Sequence, residues 1–100
     1  MTNIQIQIDD MHNGNVAAIV KGVFSPAPIV VMNAILAGTQ HNLHDTGFVD
    51  GVSRAAESNE ILLNIPLRSV AIASLHLLGI EQYCGQDNMI WSMINNKLNV

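Results

Sequence analysis

One hundred residues carry eight acidic and four basic side chains, a net charge of -4, with 49% of the chain hydrophobic. Soluble domains are about a quarter charged, so at 12% charged this one has half the usual ionic surface, the shortfall filled by Asn, Gln, Ser and Thr. Its four bases, Lys21, Arg54, Arg68 and Lys97, are scattered along the chain. That argues against nucleic acid and anionic membrane as partners, since both require clustered Lys and Arg.

This length predicts a single domain over residues 1–100, with a core of marginal size. A small globule has proportionally more surface to keep wet, and here little charge does it. The expectation is that copies of the chain, or another protein, cover part of the exterior. Cys84 is the only cysteine, so no internal disulfide forms, which fits a reducing compartment. Met1-Thr2-Asn3-Ile4-Gln5 has neither the basic nor the apolar region of a secretory signal. The apolar stretch Ile65–Ile80 contains Arg68 and His76 and is short for a bilayer. A cytoplasmic, soluble protein is expected.

Ile4, Ile6 and Ile8 alternate with Gln5 and Gln7, the period of a half-buried strand. Asn13-Gly14 follows as turn chemistry, and Val16–Phe24 reads as a second strand, apolar on both faces. Together these predict a hairpin over 3–24. Ser25-Pro26 reads as an N-cap and first-turn proline opening a helix over Ile29–Leu43, with Ile29, Met32, Leu36 and Leu43 along one stripe. Residues 44–59 read as a polar loop with at most one helical turn. Glu60–Ile65 reads as a third strand with Ile61, Leu63 and Ile65 facing inward.

Pro66 opens another helix. Leu67, Val70, Ala71, Ser74, Leu75 and Leu78 form its core stripe, and Gly79 is its C-cap. Ile72 and Leu77 lie off that stripe, and a helix apolar on several sides is covered on several sides. Asp87 would cap a last helix over Asn88–Asn96 containing Met89, Trp91 and Met93. The predicted class is α+β: an N-terminal β-hairpin, one further strand and two to three helices packed on one face.

His41-Asn42-Leu43-His44-Asp45 is the first candidate for chemistry. Two imidazoles three apart share a helix face, and the adjacent carboxylate could orient one or join a metal site. The plainer reading places both histidines at a helix C-terminus, whose partial negative charge favours them, and it is preferred. Cys84 and His76 have no base or partner next to them in sequence, so an inert cysteine and a packed histidine are preferred to catalytic roles. Arg68, in the first turn of its helix, either pairs with Glu57 or Glu60 or binds an anion. Trp91, Met89, Met93, Ile72 and Leu77 are the candidate interface residues.

No phosphate loop, paired-cysteine zinc pattern or nucleophile elbow is present. No cofactor is expected. The first functional expectation is a non-catalytic homo-oligomer, a small regulator or inhibitor acting through protein contacts. The second is an oligomer with pockets between subunits that sequesters an anionic metabolite or nucleotide through Arg68, Arg54 or Lys21. An enzyme using His41, His44 or Cys84 ranks third.

Overall fold

The computed structural model describes residues 3–62 and 64–80 of the chain. Five helices occupy most of them: α1 (Asn3–His12), α2 (Val16–Val23), α3 (Pro28–Gln40), α4 (Thr46–Ala55) and α5 (Leu67–Leu77). Between α4 and α5 lies an antiparallel pair of two-residue strands, β1 (Ile61–Leu62) and β2 (Ile65–Pro66), with Ile61 opposite Pro66 and Leu62 opposite Ile65. The architecture is mostly helical, not α+β, and the N-terminal hairpin does not exist.

Helical spacing overrides the alternation that suggested strands. In α1 the buried contact comes from Met11, with Ile8 three residues earlier packed against the core, while Ile6 stays 47% exposed. Gln5 Nε2 donates to Asp9 Oδ1 at 3.1 Å, a one-turn pair that only a helix brings together. In α2 the buried residues are Ile19, Gly22 and Val23, one face at intervals of three and four. Asn15 caps this helix by accepting the Ala18 N–H at 3.1 Å.

Asn13-Gly14 therefore ends a helix instead of closing a hairpin. Gly14 has φ +91°, its N–H bonds Met11 O, and the Asn15 N–H bonds Asp10 O. Gly79 repeats the device after α5: φ +78°, with Gly79 N–H on His76 O and Ile80 N–H on Leu75 O. This paired 5→2 and 6→1 closure is the Schellman motif, and glycine enters its left-handed position at no steric cost. Asn42 (φ +53°) occupies the same position after α3.

Two of the expected helices are present. α3 starts two residues later than Ser25 suggested: Ala27 is its N-cap and Pro28 its first residue, while Ser25 Oγ accepts the Ala27 N–H at 3.1 Å. The α5 stripe Leu67, Val70, Ala71, Ser74, Leu75 and Leu78 is buried throughout, with Gly79 just past the end. The polar middle is corrected: its centre is α4, capped by Asp45 Oδ1 on the Phe48 N–H at 3.2 Å. Phe48, Gly51, Val52 and Ala55 are its buried stripe. The third strand shrinks to β1 and β2, with Ile65 buried but Ile61 63% exposed.

α3 is the centre of the molecule, packed against α1, α2 and α5, so helices do not gather on one face of a sheet. α4 lies against α5 and α2. Every residue from Val30 to Gly38 is buried. The seam between α3 and α5 carries a polar bond between Thr39 and Ser74. Thr39 Oγ1 donates to Ile35 O at 2.7 Å, so the fully buried Ser74 hydroxyl donates to Thr39 Oγ1 at 2.6 Å. Among the described residues no buried side-chain N or O atom lacks a partner, as a stable interior requires. None of their helices is long and apolar enough to cross a membrane.

Candidate functional site

The histidines separate in space. α3 stops at Gln40, so His41 is its C-cap and His44 lies beyond the turn at Asn42. His41 Nε2 faces the carbonyl of His12, the last residue of α1, at 3.3 Å. His44 Nε2 faces Leu78 O at the end of α5, at 2.8 Å, and its Nδ1 faces Asn42 O at 2.9 Å. Each imidazole thus donates to a helix-end carbonyl that has no intrahelical partner. The helix C-terminus is a congenial place for histidine, as residue order suggested, but the helices served are α1 and α5.

His12 is held as firmly. Asn33 Nδ2 donates to Ile29 O at 2.8 Å, which turns Asn33 Oδ1 toward His12 Nε2 at 2.9 Å. Nε2 is therefore the protonated nitrogen of that ring. Asp45 is engaged as the α4 N-cap. Among the described residues no three His, Cys, Asp or Glu side chains converge on a common metal position. Cys84, Met89, Trp91, Met93 and Lys97 lie outside the described residues. Ile72 is half-buried against the core and Leu77 is 43% exposed. Lys21 and Arg68 are both exposed, on α2 and α5.

Arg54 is different. It stands on the exposed side of α4, at the edge of a concavity of about 360 Å³ also bordered by Phe24, Pro26, Pro28, Ser58 and Glu60. Buried Val23, Val31 and Leu67 supply the apolar lining. The Arg54 guanidinium carbon is 5.5 Å from the centre of the Phe24 ring, a cation–π contact worth about 0.5–1 kcal/mol at an exposed site. That contact restrains the side chain while consuming none of its five N–H donors.

Gly51 brings the pair together. A Cβ there would lie 2.3 Å from Val23 Cγ2 and 3.3 Å from Phe24 Cε2, so only a bare backbone lets α4 approach α2 this closely. One turn further along α4, the same approach sets Arg54 over Phe24. The loops are equally determined. Ser25 Oγ accepts the Ala27 N–H, and Ser58 Oγ accepts the Glu60 N–H at 3.1 Å. Both serine O–H groups remain available as donors. Glu60 O accepts the Leu67 N–H at 2.9 Å, which pins Glu60 from its other side.

Of the three bases read as anion ligands, Arg54 borders this concavity and Lys21 and Arg68 do not. Residue order gives Phe24 only a strand face and Glu60 only a pairing with Arg68, and no spacing in it connects residues 24, 54 and 60. No protein-family model matches the chain, and no curated protein or solved structure is detectably similar to it.

Proposed function

We propose that this protein works by binding and not by catalysis, and that it holds a small anionic ligand in the concavity beside Arg54. The observation that supports this reading is the guanidinium restrained on Phe24, its donors directed at no carboxylate among the described residues, over an apolar recess. Arginine's planar fork matches carboxylate and phosphate geometry. The recess is at the lower end of the roughly 300–1,000 Å³ typical of small-molecule sites. Its described lining comes from one chain. The Nε2 atoms of His12, His41 and His44 are engaged with Asn33 and with helix-end carbonyls.

A thermal-shift series with acetate, benzoate and inorganic phosphate tests the reading. An anion at 100 times its dissociation constant stabilises the fold by about 2.7 kcal/mol. The expected result is stabilisation of the wild type by at least one anion and none of Arg54→Gln. Equal shifts in both proteins, or no shift with any anion, would overturn it.

Self-association is the second reading, favoured by a separate observation. Ile6, Val16, Phe24, Ile61 and Leu77 are large apolar side chains at 43–63% exposure on a chain with only twelve charges. Light scattering after size exclusion is expected to report a multiple of 10.8 kDa. A 10.8 kDa species alone at micromolar concentration would remove this reading.

A further inference from the structure

The concavity bordered by Arg54 is also bordered by an acidic residue. Glu60 borders it, and the two side chains form no ion pair with each other or with any described residue. Opposite charges facing one recess of about 360 Å³ attract, and on a flexible surface they would close onto each other. The Arg54 side chain and the Glu60 backbone are each held in place. Arg54 rests on Phe24, and the Glu60 backbone is tied through its N–H to Ser58 and through its carbonyl to Leu67. Glu57 does not border the recess, so among the described residues Glu60 is the acid that does.

Resting on the small-ligand reading above, we propose that the occupant is a small zwitterion of the amino-acid class: its carboxylate on Arg54, its ammonium on Glu60, and an apolar side chain against Val23, Val31 and Leu67. A simple anion on Arg54 still binds, but it meets Glu60 as a like charge and binds more weakly than a zwitterion; a simple cation meets Arg54 the same way. A molecule carrying both charges satisfies both walls. Its apolar part replaces water over the lining, and the Ser25 and Ser58 hydroxyls can donate to the same carboxylate. The prolines at positions 26 and 28 keep that side of the recess rigid, which lowers the ordering cost of binding.

Isothermal titration of the intact protein tests the assignment with L-valine, L-leucine and L-phenylalanine, each beside its N-acetyl and carboxamide derivatives. At least one free amino acid is expected to bind. Its N-acetyl and amide forms should bind about tenfold or more weakly, the scale of one charge-assisted hydrogen bond. Glu60→Gln is expected to erase the preference for the free amine while preserving carboxylate binding. Arg54→Gln is expected to abolish binding of all the carboxylates. Both residues are exposed, and an unchanged circular dichroism spectrum confirms that each variant is folded. N-acetyl derivatives binding as tightly as the free amino acids would overturn the zwitterion and leave the anion site standing. If no carboxylate of any kind bound, both would fall.

Discussion

α3 and α4 are neighbours in sequence and nearly equal in length, yet they do opposite work. α3 is buried continuously from Val30 to Gly38, so its side chains there answer to packing, with Asn33 alone among them polar and hydrogen-bonded. α4 buries a single stripe and leaves Asp50 and Arg54 outside. The two meet where Phe48 of α4 lies over Gly38 of α3, so close that a Cβ on Gly38 would fall 2.2 Å from Phe48 Cζ. A fully enclosed helix forms the core, and a half-enclosed one carries the candidate site. Their difference shows how a domain with one small core still supports a restrained surface charge: the cation stands on a helix whose other face is anchored.

The firmest way to break that comparison is Phe48→Ala. Phe48 is fully buried, and removing such a ring costs about 3–5 kcal/mol. Urea denaturation should show the midpoint falling accordingly. A loss below about 1 kcal/mol would mean that α4 is not anchored through this residue. Gly51→Ala is expected to act next, by about 1–3 kcal/mol, because overpacking against Val23 outweighs the gain in helix propensity. This variant should also weaken ligand binding, since it moves α4 off α2. Retained stability with lost binding would place the effect in the Arg54–Phe24 geometry alone.

Smallest of the three is Phe24→Leu. Removing the ring deletes a contact worth about 0.5–1 kcal/mol at an exposed position, so the urea midpoint should scarcely move. Ligand affinity is expected to fall more than stability does, because Arg54 then regains its rotamers and must be ordered again on binding. If stability fell by as much as in Phe48→Ala, Phe24 would belong to the core and not to the rim.

Two helices, α5 and α3, were legible in the sequence. The α5 stripe runs at clean helical spacing from Leu67 to Leu78, opens at Pro66 and closes at Gly79. α3 was equally readable from its length and its opening prolines. The N-terminal third misled for a definite reason. Ile4-Gln5-Ile6-Gln7-Ile8 satisfies period two over five residues, and Met11, the buried residue that reveals the helix, falls just outside that window. In α2, apolar residues on every side hide the face formed by Ile19, Gly22 and Val23. α4 was concealed by Gly47 and Gly51, which lower helix propensity. The packing against Val23 that rewards Gly51 cannot be seen along the chain.

What residue order determined was local: the presence of two helices, the ends of α5 and the scarcity of charge. Each follows from chemistry within a few residues, such as capping, periodicity or composition. Tertiary packing decided the rest. It chose helix over strand at the N-terminus by burying Met11 and Ile19 against α3. It sent His41 and His44 to the ends of distant helices. It also placed Arg54 over Phe24 and beside the same recess as Glu60. Those outcomes depend on how closely backbones approach, a property of facing surfaces that no single segment encodes.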